Sequence, residues 1–215
     1  MDQKPEQVFS EEEMDILQEV MNIAFGSAAA DLAEAIDIYA ILSVPRIRIL
    51  QAVELPEYIR NEIKGYEKVS IVEQNFLAKF RGMALLIFPS GVGKALIALL
   101  ENDVESSFES DPLDALERET LMEVGNILVG ACVSKIAELL GDVVIYSPPR
   151  IVVEDLPHEA ISKDMFDPGK LAIVLQTVFH FNDHQHVSGF LFLICSQESM
   201  GWLRKALYQF LKQFE

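Results

Sequence analysis

The chain has 215 residues, half of them hydrophobic, with 34 acidic against 17 basic side chains and a net charge of −17. That balance argues against nucleic acid as a partner, since binding it needs clustered Lys and Arg to displace counterions, and equally against an anionic membrane surface. Cys132 and Cys195 lie in apolar contexts without a CxxC pair or a disulfide framework. No run approaches 18 consecutive apolar residues and the opening MDQKPEQVF has no apolar core, so neither membrane insertion nor a signal peptide is expected, and a reducing cytoplasmic location is.

Ser10 with Glu13 three residues on reads as a capping box that opens a first long helix, to about Ile36. A β-rich run follows from Tyr39 to Val53, with the alternation Arg46-Ile47-Arg48-Ile49 of a half-exposed strand and Pro45 near its start. Pro56 to Lys64 reads as a short helix. Lys68 to Leu77 and Lys79 to Phe88 then form a hairpin, and Gly93 to Glu101 a closing helix. The second half repeats this order. Asp114 and Glu117 cap a helix that runs to about Leu140 with Gly141 as its stop, although Asp111-Pro112 is an equally good start. The later elements are a β-rich run at Val143 to Glu154, a weaker short helix at Leu156 to Ser162, and strands Leu171 to Phe181 and Val187 to Cys195 joined at Asn182-Asp183. A last helix spans Glu198 to Phe214. Its apolar residues Trp202, Leu203, Leu207, Phe210, Leu211 and Phe214 either close the core or meet a partner, and core packing is the simpler reading.

One offset of 104 positions carries Glu19, Asn22, Gly26, Pro45, Arg46 and Ile47 onto Glu123, Asn126, Gly130, Pro149, Arg150 and Ile151. The chain is therefore two copies of one unit, at about residues 10–102 and 112–214. The expected class is α+β: two helix-strand-helix-strand-strand-helix units fused into one pseudo-two-fold domain over residues 1–215, with sheet packed against helices.

The helix that opens each unit carries an unusual stripe. At about 100° per residue, Asp15, Glu19, Asn22 and Gly26 fall within one narrow sector, and Ile16, Leu17, Val20, Met21, Ile23 and Ala24 fall towards the opposite side. Glu119, Glu123, Asn126 and Gly130 repeat the stripe, backed by Leu121, Met122, Val124, Ile127 and Leu128. A face chosen only for solubility would carry Lys, Glu and Gln. Asn competes with helix backbone hydrogen bonds, and Gly costs about 1 kcal/mol against Ala. Glycine there lets another surface approach closely.

Other candidates weigh less. Ser90-Gly-Val-Gly-Lys94-Ala lacks the first glycine of a phosphate loop and has Ala95 where Ser or Thr should stand, so it reads as a strand-to-helix turn. His180, His184 and His186 have a spacing compatible with zinc, in the second unit only and without a fourth ligand, so no metal site is assigned.

The spacing of an acid or Ser, then Glu, then Asn, then Pro after 22 further residues stands here as Asp15, Glu19, Asn22, Pro45 and as Glu119, Glu123, Asn126, Pro149. It resembles the signature of the CheC-type chemotaxis phosphatases, which include CheX and FliY, and two such helices resemble the CheC arrangement more than the one-site CheX. The words Glu123-Val-Gly-Asn-Ile127 and Ala137-Glu-Leu-Leu-Gly141 are also family-like. The resemblance implies a hydrolase acting on the phosphoryl-aspartate of a CheY-like response regulator. Asn22 and Asn126 would orient the attacking water, and Glu19 and Glu123 would pair with the regulator's lysine. Asp15, Gly26, Glu119 and Gly130 would complete the docking surface, with Pro45 and Pro149 as the motif prolines. The Mg2+ would belong to the regulator, and this chain would carry no cofactor of its own. The alternatives are a non-catalytic docking module for a regulator or a CheD-type partner, and a phosphatase for another two-component regulator. Glu119 departs from the Asp or Ser of the first motif position, and Met21 stands where the second copy has Gly125.

Overall fold

A computed structural model describes residues 9–36, 40–101, 114–154, 171–181, 184–196 and 199–212. Helix α1 spans Glu11–Ile36, followed by strands β1 (Ala40–Leu42) and β2 (Arg46–Gln51) and helix α2 (Leu55–Glu62). The hairpin β3 (Val69–Leu77) and β4 (Gly82–Pro89) precedes α3 (Val92–Glu101). The second half runs α4 (Ala115–Leu139), β5 (Ile145–Tyr146), β6 (Arg150–Glu154), β7 (Leu171–Phe181), β8 (His184–Ser196) and α5 (Met200–Leu211).

Both long helices start where their capping residues place them. The Ser10 amide donates to Glu13 Oε2 at 2.7 Å and the Glu13 amide to Ser10 Oγ at 3.1 Å. Asp114 and Glu117 make the same reciprocal pair at 3.0 and 2.8 Å, which settles the start of α4 there; Asp111-Pro112 lies outside the described residues. Gly141, at φ 67°, takes the left-handed turn that ends α4. Each β-rich run is two strands, not one: the chain leaves the sheet before Pro45 and before Pro149 and re-enters at Arg46 and Arg150. A proline cannot donate to the ladder, so the break falls where a hydrogen bond could not form anyway. The short helix expected at Leu156 to Ser162 and the turn at Asn182-Asp183 fall outside the described residues.

The eight strands make one sheet in the order β1-β7-β8-β4-β3-β5, with β2 also on β7 and β6 also on β3. Every pairing is antiparallel. The order is symmetric about the β4–β8 contact. The early strands of the first half pair with the hairpin of the second, and those of the second half with the hairpin of the first. Equivalent close approaches mark the symmetry: a Cβ on Gly82 would strike the Ile194 carbonyl and the Phe76 ring, and one on Gly189 the Ile87 carbonyl and the Phe179 ring.

Alternation along the strands divides the interior in two. One face presents Val72, Phe76, Leu86, Phe88, Leu175, Phe179, Leu191 and Leu193 to α1, α3, α4 and α5. The other presents Ile71, Leu85, Ile87, Val174 and Phe192 to Leu55, Ile59 and Ile63 on and just after α2. Leu203, Leu207 and Phe210 of α5 are buried in the larger cluster, and Trp202 stacks on Phe80 with ring centroids 5.9 Å apart. The last helix therefore packs in the core. So does α4, whose length and apolarity would suit a membrane span but whose apolar side is spent on the sheet and on α1.

Candidate functional site

Helices α1 and α4 lie side by side over the larger cluster, each with its apolar side down. Leu17, Val20, Met21 and Ala24 of α1 are buried, as are Leu121, Val124, Leu128 and Val129 of α4. Ile23, at the edge of the expected inner sector, is exposed instead. Asp15, Glu19 and Gly26 stand outward on α1, and Glu119, Glu123 and Asn126 on α4; Asn22 and Gly130 are half-buried. A Cβ built on Gly26 or Gly130 meets nothing within 4 Å, so the room at both belongs to whatever approaches from outside. Ile41 and Ile145 hold equivalent places on β1 and β5, and both are exposed.

Beyond the two ridges Lys135 of α4 bridges the helices at the surface, pairing with Asp31 of α1 at 3.3 Å and with Glu138 at 3.1 Å. Those two carboxylates raise the lysine pKa above its ordinary value. Near the second ridge Tyr146 donates its hydroxyl to the Gly130 carbonyl at 3.2 Å and lies 2.7 Å from Ser134 Oγ, which ties β5 to α4. Burial raises the Tyr146 pKa.

Both asparagines meet a glutamine. Asn126 Oδ1 accepts from Gln74 Nε2 at 2.7 Å, and the same nitrogen donates to the Ser147 carbonyl at 3.0 Å. Asn22 Oδ1 accepts from Gln18 Nε2 at 3.4 Å, and that nitrogen donates to the Pro45 carbonyl at 2.8 Å. The glutamines are not equivalent. In β3 and β7 the equivalent residues are Phe76 and Phe179, opposite Gly82 and Gly189, so Thr177 stands in the place of Gln74. Thr177 Oγ1 reaches the Ser43 carbonyl at 2.6 Å, as Gln74 reaches that of Ser147, but has no arm left for Asn22. Gln18 supplies it from the helix.

Packing explains part of this difference. Gly125 lies against β3 and β4: a Cβ there would come within 3.0 Å of Val72 Cγ1 and 3.4 Å of Leu86 Cδ2. Its counterpart Met21 is 1% exposed and fills the equivalent space with side chain. The second helix can thus sit low enough on the sheet for a strand residue to touch its outer asparagine.

Sequence reasoning passed over both glutamines. Gln18 lies four residues before Asn22, the spacing at which helix side chains meet. Gln74 sits between Val72 and Phe76 on the inward face of β3, and a polar residue at a core position is a signal in itself.

Pro45 acts through its carbonyl, and the loop before Pro149 through Ser147. Arg150 beyond it bonds Glu73 at 2.7 Å. The buried thiols of Cys132 and Cys195 are both held protonated by desolvation, that of Cys195 pushed up to about 12, so neither is a nucleophile. Among the described residues no group of three or more His, Cys, Asp or Glu side chains could hold a metal ion. Gly91, at φ 85°, makes the strand-to-helix turn before α3.

The model of the CheC-like family matches residues 12–48 and 116–153, which hold both helical stripes and both prolines. The chain is 26% identical over 201 residues to the CheY-P phosphatase CheC of Bacillus subtilis (strain 168), covering 92% of this chain and 94% of that one. Its fold resembles Thermotoga maritima FliY, with a TM-score of 0.69 at 21% identity over 97% of this chain and 100% of the other. It also resembles a chain of the FliG–FliM complex from H. pylori, with a TM-score of 0.57 at 9% identity over 89% and 98%. The CheC-like signature helix is thus matched twice, and the likeness to these relatives runs along nearly the whole length of the chain.

Proposed function

We propose that this protein hydrolyses the phosphoryl-aspartate of a CheY-like response regulator, with Asn22 and Asn126 each orienting an attacking water. The observation that carries the reading is the pair of outward helical ridges, each with a carboxylate one turn before an amide whose oxygen is already engaged. The similarity to a protein named CheY-P phosphatase supports it.

The chemistry asks little of the chain. An acyl phosphate is an activated leaving group, so the catalyst supplies position and charge stabilisation, not covalent intermediates. A neutral carboxamide can hold a water in line with phosphorus without repelling the phosphoryl oxygens, which a carboxylate at the same place would do. Glu19 and Glu123, one helical turn away, would pair with the active-site lysine of the regulator and so fix the register between the two proteins. The Mg2+ that neutralises the phosphoryl charge would be brought by the regulator. Gly26 and Gly130 leave room for its surface.

The test is loss of phosphate from a receiver domain charged with acetyl phosphate. Asn22→Ala and Asn126→Ala should each remove one site, and the double variant should fall by about 10²-fold or more, the scale of losing an oriented catalytic group. A double variant with the full rate overturns the assignment of the asparagines. An inert wild-type chain that still binds the phosphorylated domain tightly favours the second reading, a docking module; similarly folded FliM chains occur in complexes with FliG and with SpeE.

A further inference from the structure

We infer that Gln74 and Gln18 are positioning residues that fix which end of each asparagine amide faces the partner. The inference deepens the phosphatase reading and takes from it only that Asn22 and Asn126 act through their carboxamides.

Oxygen and nitrogen of an amide have nearly the same shape, so an exposed asparagine can present either. Here the choice is settled from the backbone outward. The Ser147 carbonyl can only accept, so the Gln74 atom 3.0 Å from it is the nitrogen. That nitrogen is also 2.7 Å from Asn126, which must answer with its oxygen. The NH2 of Asn126 is thereby turned to the outside. In the first ridge the Pro45 carbonyl fixes Gln18 in the same way, and Gln18 meets the oxygen of Asn22. In both sites the group left for the water is a donor, so the water receives a hydrogen bond from the amide and keeps a lone pair for phosphorus.

Two features separate this from ordinary core filling. Gln74 is 1% exposed and its own Oε1 has no partner, a cost an apolar residue of the same shape would avoid. In addition, the two halves reach one polarity with residues from unrelated places, a strand in one and the helix itself in the other. The longer contact at Asn22 makes the first site the looser of the two.

The experiment uses the full chain and the acetyl-phosphate-charged receiver domain. In an Asn22→Ala background, Gln74→Met keeps the volume and removes the donor. It should lower kcat by about tenfold, the scale of one hydrogen bond lost from the transition state, with KM unchanged. A kcat within twofold of the parent, or a loss confined to KM, overturns the inference. A second readout needs neither activity nor a variant. In the wild-type chain the side-chain amide of Asn126 should show an order parameter near that of rigid backbone, about 0.85, whereas exposed Asn61 should fall below about 0.6. An Asn126 amide as mobile as that of Asn61 refutes the positioning role even if the protein hydrolyses nothing. If Asn126→Ala abolishes the rate in the Asn22→Ala background while Gln74→Met does not, the positioning role fails and the phosphatase reading stands.

Discussion

Replacing Gly26 and Gly130 by Ala should strengthen the fold and weaken the function at once. Both glycines lie inside long helices, where alanine is better by about 0.8–1 kcal/mol. The gain is normally eroded by crowding, but a Cβ at either position meets nothing within 4 Å, so almost all of it should be realised. The two sites lie on different helices and share no partner, so their effects should add to about 2 kcal/mol. For a chain of this length, each kcal/mol moves the midpoint of thermal unfolding by about 2–4 °C, so the double variant should melt roughly 4–8 °C higher. If a regulator closes onto these ridges, the same two methyl groups occupy its contact space and should raise KM several-fold with little change in kcat. Thermal unfolding by circular dichroism and phosphate release from a charged receiver domain measure the two effects. A higher melting temperature with unaltered KM would show that the ridges face water and nothing else. An unaltered melting temperature would mean that the helices are not open there.

Gly125→Ala should do the reverse. Its Cβ would lie 3.0 Å from Val72 Cγ1, inside the roughly 3.5–4.0 Å preferred by carbon pairs, so α4 must rise. Overpacking costs about 1–3 kcal/mol and the helix gain returns about 1, so urea unfolding should show a small net loss. The rate of the second site should drop while that of the first, read in Asn22→Ala and Asn126→Ala backgrounds, does not. The thiols give a pH test. The pKa of Cys195 is raised to about 12 in the folded chain from 9.0. The folded state therefore holds its proton where the unfolded state has lost it, and this contribution to stability is full below pH 9 and falls as pH rises towards 12. Denaturation midpoints should decline across that window, and a Cys195→Ala variant should decline less. Thiol reagents at pH 8 should leave the native chain unmodified.

Local chemistry was well written in the sequence. Ser10 with Glu13 and Asp114 with Glu117 announce their helix starts because a capping box is complete within four residues. The outward stripes follow from helical periodicity alone, and the repeat offset of 104 also carries β1 and β2 onto β5 and β6, though not the later hairpin, where Phe76 answers to Phe179 and Gly82 to Gly189. What could not be read is who pairs with whom. Arg46 to Gln51 alternates like any half-exposed strand, and nothing in it says that its neighbour is Leu171 to Gln176, not the nearer β3. The break at Pro45 was readable in kind but not in place, since a proline is allowed both at a strand start and between two strands. Gln74 and Gln18 escaped for a related reason: their meaning depends on carbonyls at Ser147 and Pro45 that only the folded chain brings near.

The crossed pairing of the sheet bears on how such a chain could have arisen and how it can be cut. Each hairpin has its flank covered by ribbon from the opposite half: β7 by β1 and β2, β3 by β5 and β6. A fragment ending after α3 would own a β3 with nothing on its outer side and two short ribbons with nowhere to lie. Its remedy would be a second identical fragment turned about the same axis, each donating to the other. The half-length ancestor implied by the duplication would then have lived as an interlocked homodimer, and joining its ends would have turned a bimolecular assembly into a unimolecular one.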